Sequence, residues 1–444
     1  MLILTITLIG LIYATKAKKG PYWVFLIPWV VCSAPISFCI INYRFFSKWD
    51  LSYLLPLISY LTSFLAGVWL YYLIAHPGYE RKLDFGEALK EAREWSWVAW
   101  CIGLLGTVCI LVDFIFFKHG SILNLLELRN IIVNNSFVSW FARLGSVLTW
   151  GCLYSFTFSL YYKEVLPRRE FLLFFAPVFG YFLISLLTAG RQSSLQILIF
   201  AWLIQLIKPD WGRNRQFSTR INWAYATLIS VIMVGYMGWI AVYRHAESPI
   251  GTIKTLSNIF DFNFSHGLES ILGFAGDGVK LIAMEFIIYL TSPLALFSKF
   301  LTIDFEKFYI GVMSFPFLFR QLESITGVSV IAALQTKIEL MKATGVTGVG
   351  WTTAISSYIM DFGRCGAAVV LFLQGFYTAY MWNRMKRNRN FNDVVIVLIL
   401  FTFAIYMPLS AATGETNLFI MWLFCVATHV AKKFLPPNFK LSLQ

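Results

Sequence analysis

Long apolar runs separated by short polar clusters set the pattern of this chain. A helix that crosses a bilayer needs roughly 17–25 mostly apolar residues. Runs of that kind fall near 1–15, 22–42, 51–75, 96–117, 138–162, 171–189, 194–207, 222–243, 366–383, 393–412 and 416–431, the first and seventh being short. The pattern predicts an all-α polytopic membrane protein with about eleven transmembrane helices, because backbone polar groups in lipid must be satisfied within the spanning segment.

The clusters between the runs orient the helices. Segments 16–19, 81–93, 163–169, 208–220, 384–389 and 432–440 carry 21 of the 36 Lys and Arg, so every second loop is basic. Short loops rich in Lys and Arg lie on the cytoplasmic side, which places the N-terminus outside and the C-terminus in the cytoplasm. The connections around 43–50, 118–137, 190–193, 244–365 and 413–415 are then external. The chain divides accordingly into an eight-span N-terminal bundle over 1–243, a large external loop over 244–365, and a three-span C-terminal bundle with a cytoplasmic tail over 366–444. A loop of that length usually carries function.

Within the loop, 279–300 is apolar but is interrupted by Lys280, Glu285 and Pro293. One further span would put Arg384, Lys386, Arg387, Arg389, Lys432 and Lys433 outside, against the positive-inside bias. The segment therefore reads as an interfacial or re-entrant helix, with two extra spans as the alternative that keeps parity.

Composition narrows the class. Of 444 residues 58% are hydrophobic and 13% charged, which excludes an ordinary soluble domain. Aromatics reach 18%, as expected of a chain with lipid-facing and interfacial surfaces. The net charge of +13 sits in the loop clusters and forms no stripe, so topology explains it and nucleic acid is not an expected partner. The 7 cysteines are scattered through apolar runs, where they act as small hydrophobes, and they suggest neither a disulfide framework nor a zinc site. Lys16, Lys18 and Lys19 follow the first apolar run, the reverse of a cleavable signal peptide, so that run reads as a span.

Unusual charges gather at the external ends of the helices. Gly190-Arg191-Gln192-Ser193-Ser194 ends the sixth run, Arg244-His245 ends the eighth, Asp361-Phe362-Gly363-Arg364 precedes the ninth, and Gly414-Glu415-Thr416 joins the last two. These segments deliver Arg191, Arg244, Arg364, Asp361 and Glu415 to one membrane face, a set suited to a phosphorylated lipid. Arginine donates two parallel charge-assisted hydrogen bonds to phosphate oxygens and stays ionised. A carboxylate nearby can accept a proton from a sugar hydroxyl. Arginine at a span end also serves as a snorkelling anchor. Asp361 and Arg364, three apart, share a helical face and can simply pair. Asp113 and Arg143 read as a buried pair joining two helices. His266 and Asp277 in the large loop are further candidates, His266 with an ordinary surface or core role as its alternative.

Other patterns carry less. Asp361-Phe362-Gly363 lacks the Gly-rich and catalytic-loop signatures that would make it a kinase triplet. Gly345, Gly348 and Gly350 do not follow a strand, so they read as turns. No Asp-x-Asp or His-rich cluster suggests a metal.

Two stretches carry a resemblance: Thr188-Ala189-Gly190-Arg191-Gln192-Ser193-Ser194 before a short apolar helix, and Tyr358-Ile359-Met360-Asp361-Phe362-Gly363-Arg364-Cys365-Gly366 before a late span. With the helix layout and the large external loop, the chain resembles the Wzy-type oligosaccharide repeat unit polymerases, which assemble bacterial O-antigen and capsule. A loop repeat of some members has no counterpart here, which leaves acceptor-side residues unassigned.

The resemblance implies a GT-C-like glycosyltransferase of the bacterial inner membrane. It would transfer the growing glycan from undecaprenyl pyrophosphate to a new lipid-linked repeat unit at the external face, without metal, nucleotide sugar or other cofactor. Arg191, Arg244 and Arg364 would hold pyrophosphate, and Asp361, or failing it Glu415 or Asp277, would accept the proton. Its partners would be undecaprenyl-pyrophosphate-linked glycans, membrane lipids and a chain-length regulator. An O-antigen ligase uses the same donor and is the nearest alternative. A transporter or flippase is the third, and it calls for mid-membrane polar groups and repeated halves.

Overall fold

The computed structural model describes residues 20–44, 46, 51–75, 85–117, 139–187, 192–208, 231, 235, 238, 255–258, 260–305, 308–319, 329–343, 352–388, 390–411 and 415–434. The described residues are mostly helical. Runs 1–15 and most of 222–243 lie outside them. Contacts divide the chain into two compact units, one formed by 1–78, 227–382 and 400–415, the other by 79–226, 383–399 and 416–444.

The first unit contains α1 (Pro21–Ser37), β1 (Ile41–Tyr43) and α2 (Leu51–Ile74). It continues with β2 (Phe262–Phe264) and the helices α3 (His266–Ala275), α4 (Asp277–Phe300) and α5 (Val330–Ala343). It also holds most of the 35-residue helix α6 (Ala354–Asn388). Strands β1 and β2 pair antiparallel, Ile41 opposite Phe264 and Tyr43 opposite Phe262. The Tyr43 hydroxyl lies 2.7 Å from that of Thr291, tying this ribbon to α4.

Helices α2 and α6 cross at two glycines. A Cβ at Gly67 would lie 2.0 Å from the Phe372 carbonyl oxygen, and one at Gly375 would lie 2.1 Å from that of Phe64. Small residues at such a crossing let two backbones approach where lipid supplies no hydrophobic drive.

The second unit contains helices Phe85–Val112, Trp140–Leu148, Trp150–Tyr161, Arg168–Phe175, Pro177–Leu187 and Gln192–Ile207. Most of Phe391–Tyr406 and all of Thr416–Phe434 also belong to it. Gly103, Gly106 and Gly151 form its close crossing: the backbone of 148–152 stands where side chains of Gly103 and Gly106 would be, and that of Ala99 and Gly103 where one of Gly151 would be. Polar side chains here bond to one another: Thr149 to Asn417 at 2.9 Å, Asn417 to the Tyr181 hydroxyl at 3.1 Å, and Tyr181 to Gln196 at 2.5 Å.

Four helices are long and apolar enough to cross a membrane among the described residues: Ser52–Ile74, Phe85–Phe117, Asp277–Phe300 and Ala354–Asn388. Shorter apolar helices occupy Pro21–Ser37, Ser193–Ile207, Phe391–Tyr406 and Thr416–Ala431. The charges at Lys280 and Glu285 and the proline at 293 leave α4 as one 24-residue helix. By length and composition it matches the helices that span. Asp113, expected to pair with Arg143, instead accepts a hydrogen bond from the Ser139 hydroxyl. Arg143 is exposed, its guanidinium 5.8 Å above the Trp140 ring.

Candidate functional site

The long helix α6 breaks at Gly363, whose φ of 74° and ψ of 175° are closed to residues with a side chain. The Phe308 ring stands 3.1 Å from where a Cβ would project. A break strands the carbonyls of the preceding turn, which lose their partners four residues on. The segment 309–314 supplies replacements. Tyr309 N–H donates to the Met360 carbonyl at 3.1 Å and Ile310 N–H to the Asp361 carbonyl at 3.0 Å. Ile310 and Gly311 both take positive φ, 45° and 93°, which turns the segment back on itself.

The Asp361 side chain fixes that turn. Its carboxylate accepts the Met313 N–H at 2.9 Å, the Ser314 N–H at 2.7 Å and the Ser314 hydroxyl at 2.5 Å. Asp361 is 1% exposed and Ser314 is fully buried. Both carboxylate oxygens are therefore engaged, by neutral donors, in a place closed to water. Such a carboxylate positions the chain around it and has little capacity left to take a proton from a substrate.

The expected pairing of Asp361 with Arg364 does not form, because the break at Gly363 turns the two residues to different partners. Arg364 donates to the Leu301 carbonyl at 2.8 Å and lies 3.8 Å from Asp304. Its side chain is 56% exposed. The Tyr60 phenol is within electrostatic reach of Arg364 and Cys365.

A further cation approaches from α5. On this helix Val330 and Ala333 are buried while Ile331 and Leu334 are exposed. Lys337 is half-buried and feels the charge of Asp361. Burial pushes its ammonium down to about 8, against the opposing pull of that carboxylate. The sequence pattern did not single out this lysine, because no motif surrounds it.

The remaining expected residues are placed as follows. Asp277 is exposed at the first residue of α4. Glu415 is half-buried, immediately before Thr416–Phe434. Arg191 and Arg244 lie outside the described residues. His266 is exposed at the start of α3, behind the Ser265 cap. Among the described residues no group of His, Cys, Asp or Glu comes together to hold a metal.

A second polar cluster, in the other unit, was not expected. The fully buried Asp393 lies 3.2 Å from Arg384 Nε and 2.9 Å from His429 Nε2. His429 Nδ1 is 2.7 Å from the Cys425 carbonyl. Beside it Tyr154 bonds to Asn392 at 2.5 Å and Asn392 to Thr428 at 2.7 Å.

No family model, curated protein or solved structure matches the chain.

Proposed function

We propose that the protein polymerises undecaprenyl-pyrophosphate-linked oligosaccharide repeat units at the external face of the bacterial inner membrane. The observation that carries this reading is the broken helix α6, which exposes the Arg364 guanidinium at a fixed point beside an apolar helix end. A cation held there suits the pyrophosphate of a lipid-linked donor, whose oxygens gain charge as the sugar leaves. Arg191 and Arg244 complete the pyrophosphate set on the grounds of sequence. Asp361 enters as the residue that holds the break and so aims Arg364. Glu415 and Asp277 are the carboxylates proposed from sequence as proton acceptors. The reaction joins the anomeric carbon of the growing glycan to a hydroxyl of the incoming repeat and expels lipid pyrophosphate.

The test is reconstitution of the purified protein in liposomes carrying the lipid-linked repeat unit, read as a ladder of glycan lengths. Wild-type protein should give a ladder. Arg191→Lys and Arg364→Lys keep charge but lose the planar fork, and should slow it by on the order of 10²–10³. Single repeats alone from wild-type protein overturn the reading, and transfer to a lipid A core acceptor points to a ligase.

A further inference from the structure

We infer that Phe308, Asp304 and Arg364 form a subsite for the sugar ring joined to the lipid pyrophosphate, with Phe308 as the face it stacks on and Asp304 as the acceptor of its hydroxyl hydrogens. The inference rests on the polymerase reading above and names which part of the donor this rim holds.

The break in α6 brings the three groups together. The Phe308 ring stands 3.1 Å from where a Cβ on Gly363 would project, so it lies against the backbone of the break. Arg364, the next residue, donates to the Leu301 carbonyl at 2.8 Å and lies 3.8 Å from Asp304. The residues after Phe308 are tied to the same turn of α6, the Tyr309 and Ile310 N–H groups donating to the carbonyls of Met360 and Asp361. Phe308 and Arg364 are thus fixed to one piece of backbone.

The rim faces water, which makes its apolar members unusual. The Asp304 side chain is fully exposed, and a carboxylate in that state would be costly in hydrocarbon. Beside it Phe308 is 56% exposed and Ile310 73% exposed. Ile310 also takes a φ of 45°, a region that a β-branched residue enters only at a cost. The chain therefore accepts backbone strain where it holds apolar side chains in water beside a cation and a carboxylate. A pyranose ring fits that mixture. Its C–H hydrogens carry partial positive charge and lie on the negative face of an aromatic ring, while its hydroxyls donate to a carboxylate. An acyl chain would gain nothing from Asp304, and a bare pyrophosphate would be repelled by it.

Asp304 also separates donor from product. When the glycan leaves, the lipid pyrophosphate loses the ring with its hydroxyls and gains negative charge on its terminal phosphate. Arg364 alone would hold that product more firmly than the donor, because it attracts the higher charge. With Asp304 beside it the order is reversed, and the product is the weaker ligand.

The test compares two probes on the intact protein in lipid nanodiscs by titration calorimetry: farnesyl pyrophosphate, and farnesyl pyrophosphate carrying one N-acetylglucosamine. Wild-type protein should prefer the sugar-bearing probe by about tenfold. Phe308→Leu keeps an apolar side chain without the flat face and should erase most of the preference, while Phe308→Trp should keep it. Asp304→Asn should tighten the bare pyrophosphate by up to about fivefold. Because the readout is a ratio of affinities, a loss of folded protein does not move it. Equal affinity of the wild type for the two probes, or an unchanged preference in Phe308→Leu, overturns the subsite and leaves the polymerase reading to the ladder assay. A wild-type protein that binds neither probe overturns the subsite too, and if it also makes no ladder the reading itself falls.

Discussion

Two buried aspartates, one in each compact unit, are held in opposite ways. Asp361 meets neutral donors, two backbone N–H groups and a serine hydroxyl. Asp393 lies beside two basic side chains, Arg384 and His429. At Asp361 the donors tie a helix break to the turn over 309–314, whereas at Asp393 the cluster joins the helices that supply its partners. The same residue type therefore fixes a turn in one unit and serves as a helix staple in the other.

The largest expected effect comes from breaking the staple. Asp393→Ala leaves the Arg384 guanidinium without its counter-charge, which should cost about 3–5 kcal/mol, as removal of one partner from a buried ion pair does. The measurement is the unfolding midpoint in a denaturing detergent titration. If Asp393 is a staple, an apolar replacement of all three groups should recover most of the loss. Retention of wild-type stability by Asp393→Ala would erase the contrast with Asp361.

Next is Gly363→Ala, which forces a side chain into a backbone region reserved for glycine and against the Phe308 ring. A cost of about 1–3 kcal/mol is expected. Because the break also aims Arg364, ladder growth should fall at equal folded protein. Unchanged stability together with unchanged rate would mean that the break is not needed.

The smallest is Ser314→Ala. It removes one of the three donors to Asp361 and leaves the two backbone N–H groups. A loss of about 1 kcal/mol follows from a single hydrogen bond with its acceptor still satisfied. The thermal midpoint should drop slightly. A drop as large as that of Asp393→Ala would show that the hydroxyl, rather than the two backbone N–H groups, carries the hold on this carboxylate.

Much of the helical layout could be read from hydropathy, because a helix in lipid is written in its own run of apolar residues. The runs at 51–75, 393–412 and 416–431 meet the helices Leu51–Ile74, Phe391–Tyr406 and Thr416–Phe434. The interfacial reading of 279–300 weighed Lys280, Glu285 and Pro293 as interruptions, yet α4 accommodates all three in one helix. At the candidate site, the stretch around Asp361 and Arg364 stood out, but the partners did not. Spacing put those two residues on one face, and the conformation of Gly363 separated them. Arg384 was counted as a topology charge, and its use as a partner for Asp393 depends on helices brought together across the sequence.

By itself the sequence pointed to apolar helices of the membrane type, since that depends on local composition against a fixed solvent. Only the tertiary structure decided that the helix breaks at Gly363, because the stranded carbonyls of 360 and 361 need the distant amides of 309 and 310. It alone buried Val330 and Ala333 and left Ile331 exposed, for the orientation of α5 depends on what packs against it and not on the hydrophobicity of the helix. It alone separated the roles of Asp361 and Asp393, because a carboxylate's chemistry is set by the donors that surround it, and those come from elsewhere in the chain.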